Sequence, residues 1–262
     1  MKFSLLSDVH LEFYKENKIL SLINSIKNKI AEKRDILLLA GDIGRLDSQN
    51  NIKNYKLFLN SLSPYFEKMF LISGNHEYYG LSIYDGNEQL NLLKNYVSNL
   101  EILNNKSFVL NRSNKKSLKI LGSIMWGDTN LDYYSFINDF YEIKDFCANA
   151  NEYIYQYKQN KLWLDNELNN SKDDYELIIM THHLPSQRLS DTKYKKFSHL
   201  NSYFCSNLDY LFDNQSIKYW IYGHTHSYFN NKLSNCHINF ICNPYGYPNE
   251  NELINYVENF EI

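Results

Sequence analysis

Short apolar runs alternate with helical patterns along the first third of the chain. Strand-length apolar runs fill 2–6, 36–40 and 69–72. Between them, apolar residues recur at helical spacing over 16–33 and about 52–63. The order strand, helix, strand, helix, strand is typical of an open α/β sheet with neighbouring parallel strands.

The remainder of the chain predicts a hairpin, a helical region and further core strands. The hairpin is expected over 107–110 and 118–125, and the helical region over 133–169. The apolar stripe of the helical region is expected to contain Phe136, Ile137, Phe140, Ile143 and Phe146. Further strands are expected at 177–180, 218–222 and 237–242. Because no repeat or proline-rich linker divides the sequence, we expect one domain over 1–262.

Polar residues that suit metal ions follow these predicted strands. They are Asp8, His10, Asp42, Asn75, His76, His182, His183, His224 and His226. In open α/β sheets, ligands bind at the carboxyl ends of the strands. The sequence therefore predicts that these separated residues converge on one site.

The residue types at these positions suit a pair of divalent metals. Asp42 is the best candidate for a bridging carboxylate, since Gly41 lets the backbone approach closely. Asp8 and His10 are two residues apart, so an extended segment would place both on one side, and His224 and His226 repeat that spacing. Mixed nitrogen and oxygen ligands favour Mn, Fe, Zn or Co over Ca or Mg.

The ordered motifs resemble the calcineurin-like metallophosphoesterases. They are DVH at 8–10, GD at 41–42, GNHE at 74–77, THH at 181–183 and GHTH at 223–226. The stretches at 125–127, 138–140 and 243–247 are similar to small bacterial-type members. The resemblance implies a four-layer α-β-β-α sandwich of two mixed sheets flanked by helices. It also implies hydrolysis of phosphomonoesters or phosphodiesters at a dinuclear centre.

The resemblance also implies a role for each residue. One metal would take Asp8, His10, Asp42 and His226, and the other Asp42, Asn75, His182 and His224. His76 would bind no metal; it would stabilise the transition state or protonate the leaving oxygen while a hydroxide bridging the metals attacks. Asn75 could also touch a phosphate oxygen.

Several neighbouring residues remain open to two interpretations. His182, the first residue past its strand, is favoured over His183 as the ligand, and His183 would then support it or face the substrate. Arg45 would either reach a phosphate or lie in solvent. Glu77 would either orient His76 or cap the segment after it.

Other nearby residues are expected to serve the fold. Glu12 is expected to be a surface residue. Tyr78, Tyr79 and Trp126 are expected to pack in the core or at the rim, although each could stack on a substrate ring.

Composition limits the class of partner and the compartment. The formal charge of −3 offers no bulk basic field for nucleic acid. The four cysteines form no CxxC pair and no secretory segment precedes the first strand, which predicts a cytoplasmic protein with reduced thiols. No apolar run approaches the ~18–20 residues of a membrane span, so no membrane association is expected.

The predicted function is metal-dependent hydrolysis of a phosphomonoester or phosphodiester bond in a small substrate, with a nucleotide as one candidate. The segment at 43–45 departs from the Val-Asp-Arg-Gly of the protein phosphatase branch, which argues against a phosphoprotein substrate. The alternatives are a nuclease of the same family and a non-catalytic scaffold with the same fold. Specificity is expected to depend on the loops at 78–88, 126–142 and 184–203.

Overall fold

The computed structural model describes residues 1–30, 34–171, 174–250 and 257–262. Its strands are β1 (Lys2–Leu6), β2 (Arg34–Ala40), β3 (Phe66–Ile72), β4 (Leu100–Ile102), β5 (Lys106–Leu110), β6 (Leu118–Ser123), β7 (Glu176–Thr181), β8 (Ile217–Tyr222), β9 (Phe229–Lys232), β10 (Asn239–Cys242) and β11 (Glu258–Glu261). Its α-helices are α1 (Glu16–Lys29), α2 (Gln49–Leu62), α3 (Ile83–Leu93), α4 (Asp139–Glu142), α5 (Lys144–Ala148) and α6 (Asn151–Asn170).

The strands form two mixed sheets. The order in the first sheet is β11-β1-β2-β3-β4, and in the second it is β5-β6-β7-β8-β10-β9. All neighbours are parallel except that β11, β5 and β9 each pair antiparallel at a sheet edge. The mixed sheets agree with the prediction from the family resemblance.

The two sheets pack face to face, and helices cover their outer faces. In β2, Ile36 and Leu38 face the second sheet, while Leu37 and Leu39 face α1 and α2. Helix α6 contributes Leu164 to the core on the outer face of the second sheet. The four-layer sandwich is therefore confirmed. Burial on both faces also explains why the parallel strands appear in the sequence as continuous apolar runs.

The predicted elements differ from the observed ones in several places. Helix α1 ends at Lys29, and the last three residues predicted for it lie outside the described residues. Helix α3 and the short strands β4, β9 and β11 were not predicted. The 133–169 region is helical but broken into short pieces before α6, and Phe136 is 71 % exposed rather than part of a buried stripe.

In the part of the chain that the structure describes, no helix has the length and apolar character to cross a bilayer.

Candidate metal centre

The predicted site residues meet where five parallel strands end. Asp8 follows β1, Asp42 follows β2, and Asn75 with His76 follows β3. From the second sheet, His182 follows β7 and His224 follows β8. All nine predicted residues are buried except His224, which is partly exposed.

Several of these side chains project from residues whose backbone is in the left-handed conformation. Five residues have φ between 48° and 68°, namely Asp8, His10, Asp42, His224 and His226. This conformation is uncommon outside glycine, although Asp and His are enriched in it, and it costs about 1 kcal/mol or more per residue. The expectation of an extended Asp-x-His segment was therefore wrong. Asp8 and His10 still share a cluster, but His224 and His226 lie in different ones.

Glycines allow the two sheets' loops to approach closely. Gly41 has a φ of 86°, and a Cβ atom there would lie 2.5 Å from His182 Nδ1. A Cβ atom at Gly74 would overlap the carboxylate of Asp42. The glycines before Asp42 and Asn75 are thus required by the packing of the site itself.

The first cluster consists of Asp8, His10 and His226. The Nε2 atoms of His10 and His226 lie 3.0 Å apart, and His226 Nε2 is 3.6 Å from Asp8 Oδ1. Behind them, His10 Nδ1 lies 3.3 Å from Glu12 Oε1, and His226 Nδ1 lies 2.6 Å from Glu250 Oε2.

These contacts fix which nitrogens carry hydrogen. A carboxylate accepts, so the Nδ1 atoms of both histidines donate to Glu12 and Glu250. Burial lowers the pKa of His10, which favours its neutral form. The ligand atoms of Asp8, His10 and His226 lie within 4.8 Å of one another, and Asp8 Oδ1 also accepts the backbone N–H of His224 at 2.8 Å. Two imidazole nitrogens and a carboxylate oxygen at these separations form a donor set that fits a divalent metal.

The second cluster consists of Asp42, Asn75, His182 and His224. His182 Nδ1 donates to the Ala40 carbonyl oxygen at 2.9 Å. Its Nε2 lies 3.3 Å from Asp42 Oδ2 and 3.2 Å from Asn75 Oδ1. His224 offers a ring nitrogen within 4.8 Å of the Asp42 and His182 ligand atoms. Here too, atoms that could bind a metal lie close together.

An unpredicted residue, Asp139, orients the amide of Asn75. The Asn75 amide nitrogen donates to Asp139 Oδ1 at 2.9 Å, which turns Asn75 Oδ1 toward His182. Tyr79 donates its hydroxyl to the same oxygen of Asp139 at 2.8 Å. The sequence showed Asp139 only within a family-like stretch, and its contact with Asn75 spans 64 residues.

A proton and a cation compete for His182 Nε2. Burial disfavours the charged imidazole, but the carboxylate of Asp42 outweighs it and raises the pKa of His182 to about 10. A proton on Nε2 therefore stabilises the second cluster when no metal occupies it. Metal binding at this nitrogen would release that proton.

Asp42 links the two clusters through a single oxygen. Its Oδ1 accepts the backbone N–H of His76 at 2.8 Å. Its Oδ2 lies 3.3 Å from His182 Nε2 in one cluster and 4.0 Å from His10 Nε2 in the other. The geometry thus leaves Oδ2 as the atom available to both.

His76 lies beside the first cluster and is held by Glu12. Its Nδ1 is 2.7 Å from Glu12 Oε1, its ring stacks on Tyr79 at 4.3 Å, and its Nε2 lies 3.4 Å from the Tyr247 hydroxyl. Burial opposes the charged imidazole, but Asp42 and Glu12 outweigh it and raise the pKa of His76. His76 is therefore disposed to hold a proton next to the clusters.

Glu12 is not the surface residue that was expected. Its side chain is only 6 % exposed and contacts both His10 and His76. Burial opposes its ionisation, but these hydrogen bonds outweigh burial and lower the pKa of Glu12 to about 2. Its position two residues after His10 was the signal in the sequence that would have found it.

Glu77 serves neither of the two roles proposed from the sequence. Its carboxylate accepts backbone N–H groups from the loops after β2 and β3, and also the Tyr55 hydroxyl. The backbone donors are Asp42, Ile43, Gly44 and Gly74. Glu77 therefore ties together the loops that carry Asp42 and Asn75.

His183 lies behind the second cluster. It is fully buried, its Nδ1 faces the Ile124 carbonyl oxygen at 3.4 Å, and its ring packs against His224 at 4.3 Å. Burial, reinforced by the charge of His182, lowers the pKa of His183 to about 3. His182, not His183, reaches Asp42, whereas the His183 ring packs against that of His224.

A cavity of about 270 Å³ opens beside both clusters. It is lined by the cluster residues Asp42, Asn75, His76, His224 and His226 and by Tyr79, Phe136, Ile137, Asn138, Asp139, Tyr194, Tyr203, Phe204, Tyr247 and Glu250. The loops at 126–142 and 184–203 line it as expected. The segment at 78–88 contributes only Tyr79, and the contributions of Tyr247 and Glu250 were not predicted.

A protein-family model described as calcineurin-like phosphoesterase matches residues 1–228. The chain belongs to this family. An uncharacterized protein of Acanthamoeba polyphaga mimivirus is 31 % identical over 280 residues, covering 95 % of this chain and 96 % of that protein. The family model thus covers much more of the chain than the motifs alone.

Solved structures share the fold at much lower identity. Phosphopantetheinyl hydrolase from Mycobacterium tuberculosis has a TM-score of 0.74 at 14 % identity, over 99 % of this chain and 95 % of that one. A dimetal phosphatase from Danio rerio has a TM-score of 0.50 at 15 % identity, over 92 % of this chain and 86 % of that one. At these identities the likeness concerns the fold alone.

Within this calcineurin-like phosphoesterase, two clusters of His and Asp residues can bind metal. The structure groups Asp8, His10 and His226, and separately Asp42, His182 and His224. The possible ligand atoms of a third group, His10, Asp42 and His76, also lie within 4.8 Å of one another. The first group lacks Asp42 and the second lacks Asn75, and the other members are those that the motif resemblance assigns to each metal.

The remaining candidate residues lie away from the clusters or in the core. Arg45 pairs with Asp47 at 2.7 Å and with Glu142 at 3.3 Å, and it is absent from the described lining of the cavity. Tyr78 and Trp126 are buried in an aromatic core cluster, which confirms the packing role expected of them.

Proposed function

We propose that this phosphoesterase hydrolyses a small phosphomonoester or phosphodiester with the aid of two divalent metal ions. The observation that carries the proposal is the convergence of His and Asp side chains in two clusters, with Asp42 Oδ2 at 4.0 Å from His10 Nε2 of the first and 3.3 Å from His182 Nε2 of the second. One protein of similar fold, from Danio rerio, is a dimetal phosphatase, which supports the proposal.

Each ion has a matching set of ligands in this chain. The first would be held by Asp8, His10, Asp42 and His226, and the second by Asp42, Asn75, His182 and His224. Nitrogen and oxygen donors together suit Mn²⁺, Fe²⁺/Fe³⁺ or Zn²⁺. When bound, such ions neutralise phosphate charge and lower the pKa of a bound water.

His76 would supply the proton for the leaving group. Glu12 fixes its Nδ1, so its Nε2 is left toward the cavity and Tyr247. As the phosphorus–oxygen ester bond breaks, Nε2–H donates to the leaving oxygen, and Glu12 stabilises the protonated ring beforehand. Asn75 and His183 remain proposed contributors: Asn75 as a ligand that also touches a phosphate oxygen, and His183 as support for His224.

The cavity favours a small substrate over a nucleic-acid strand. Its described lining contains no lysine or arginine. A polynucleotide would need cationic groups along its backbone for most of its affinity. The closeness of the His, Asp and Asn side chains in the two clusters supports an enzyme over a non-catalytic scaffold. The four cysteines are free thiols, which supports a reducing cytoplasmic compartment as part of the same proposal.

A metal-dependent assay tests the proposal. Turnover of p-nitrophenyl phosphate and bis-p-nitrophenyl phosphate is measured after loading with Mn²⁺, Zn²⁺ or Fe²⁺, and again with chelator. We expect turnover that the chelator abolishes and that Asp42→Asn loses, while Asp213→Asn at an exposed position keeps it. Absence of turnover with all three metals, or turnover unaffected by chelator, would contradict the proposal.

A further inference from the structure

A second cavity lies directly beside the first and has a different chemistry. It also measures about 270 Å³, and its walls are Leu184, Ser190, Tyr194, Phe197, Leu200, Asn201, Phe204, His224 and Thr225. Three of these residues, Tyr194, Phe204 and His224, also line the cavity at the metal centre. The two cavities therefore adjoin across a shared wall that includes a proposed metal ligand.

The walls of this second cavity offer apolar contact and almost no hydrogen bonding. The Tyr194 hydroxyl already donates to the Thr225 carbonyl oxygen at 2.7 Å, and Thr225 Oγ1 accepts the Ser227 N–H at 3.0 Å. Phe204 packs its ring against His224 at 4.9 Å. The described lining carries no Asp, Glu, Lys or Arg. A charged group placed there would lose hydration without gaining an oppositely charged side chain.

We propose that this cavity is a subsite for an uncharged aliphatic substituent of the phosphoester. The inference rests on the proposed function, since the phosphate would be held at the adjoining metal centre. A nucleobase is a poorer occupant because its edge carries several donors and acceptors, whereas this wall adds only the side chains of Ser190 and Asn201. The volume approaches the ~300 Å³ at which small-molecule sites begin.

The free protein leaves an apolar side chain at this cavity in contact with water. Phe197 lines it and is 45 % exposed. An aliphatic chain seated there would remove both its own surface and that of Phe197 from water. Each buried methylene should tighten binding about fourfold, the equivalent of about 0.8 kcal/mol.

Alkylphosphonates test the subsite without depending on turnover. Their carbon–phosphorus bond is not an ester, so binding of methyl-, butyl- and hexylphosphonate to the Mn²⁺-loaded full chain can be measured by calorimetry. We expect Kd to fall by up to about fourfold per added methylene until the cavity is filled. Phe197→Ser and Leu200→Ser should each flatten this dependence, with circular dichroism confirming that both variants fold. Tyr84→Ser, at a 73 % exposed position away from this lining, is the matched control and should keep the slope.

The outcomes separate the subsite from the reaction. A chain-length dependence that Phe197→Ser flattens supports the subsite even if no ester is hydrolysed. A Kd independent of chain length, a failure to bind any phosphonate, or an equal slope in Phe197→Ser and Tyr84→Ser would overturn it. Tighter binding of a nucleoside monophosphate than of hexylphosphonate, lost in Phe197→Ser, would also overturn the aliphatic assignment.

Discussion

The two clusters at the sheet ends are built from similar ligands but are supported differently. In the first cluster, His10 and His226 are backed by the carboxylates of Glu12 and Glu250. In the second, His182 is backed by the carbonyl oxygen of Ala40, in the strand β2. The first cluster is thus surrounded by charge, whereas the second is fixed to the backbone of a core strand.

This difference has consequences for metal binding. Hydrogen bonds from histidine outweigh burial and lower the pKa of both Glu12 and Glu250, so both are anionic at neutral pH. Beside the second cluster, burial raises the pKa of Asp139. Carboxylates behind histidine ligands increase the basicity of those ligands. We therefore expect the first cluster to bind its cation more tightly, and the second to be geometrically more rigid.

Substitution of Asp42, which lies near both clusters, should abolish metal binding in both and so remove the difference in their affinities. Asp42→Asn keeps an oxygen for the His76 N–H but loses the charge at Oδ2 that faces both clusters. We expect both cations to be lost and turnover to fall at least about 10⁴-fold, since charge stabilisation by metals contributes several kcal/mol. Metal analysis together with steady-state kinetics checks this, and retention of one full cation would show that Asp42 is not shared.

Removing His76 should leave both clusters loaded. We expect His76→Ala to slow turnover by about 10² to 10⁴, the usual contribution of a general acid. The loss should be larger for phenyl phosphate than for p-nitrophenyl phosphate, because the poorer leaving group needs the proton more. If His76→Ala strips a metal instead, then the third group of clustered residues is a ligand set and the assigned role is wrong.

Glu12 and Glu250 can be compared as a matched pair, because each contacts one histidine of the first cluster. Glu12→Gln and Glu250→Gln should each weaken the first cation about 10- to 100-fold, because each backs one histidine. At saturating metal, only Glu12→Gln should still reduce kcat, since Glu12 alone also contacts His76. Equal kcat values for the two variants at saturating metal would show that Glu12 does not position His76.

Of the substitutions expected to weaken metal binding, that of Asp139, which supports the second cluster through Asn75, should have the smallest effect. In Asp139→Asn the partner of the Asn75 amide is neutral, so Asn75 Oδ1 is held less firmly. We expect about a tenfold weaker second cation and an unchanged first one, with Asp213→Asn as the exposed control. A metal titration followed by calorimetry resolves the two binding steps. A change confined to the first step would contradict the assignment of Asn75 to the second cluster.

The sequence predicted the inner part of this molecule well for physical reasons. Strands such as β2 and β7 are buried on both faces, so they leave apolar runs that a pattern can find. The edge strand β9 has the sequence Phe-Asn-Asn-Lys and is largely exposed, so it leaves no such run. The candidate ligands, among them Asp42 and Asn75, could be identified because they belong to motifs with fixed local spacing.

The supporting residues of the site were harder to predict because their contacts are long-range. Glu250 meets His226 across 24 residues and Asp139 meets Asn75 across 64. The left-handed turn at Asp8 also has no sequence mark, since Asp is common in many loops. Convergence on the site was therefore predictable, but the orientation of the individual atoms was not.

The central claim is that two cations are bound in clusters that share Asp42. Metal stoichiometry per chain, measured by mass spectrometry after desalting from excess Mn²⁺, tests it most directly in the wild type, Asp8→Asn and Asp42→Asn. The account predicts about two, one and no ions, because Asp8 belongs to the first cluster, whereas Asp42 Oδ2 lies near histidine nitrogens of both. A wild type that holds a single ion, or an Asp42→Asn variant that holds as many ions as Asp8→Asn, would contradict it.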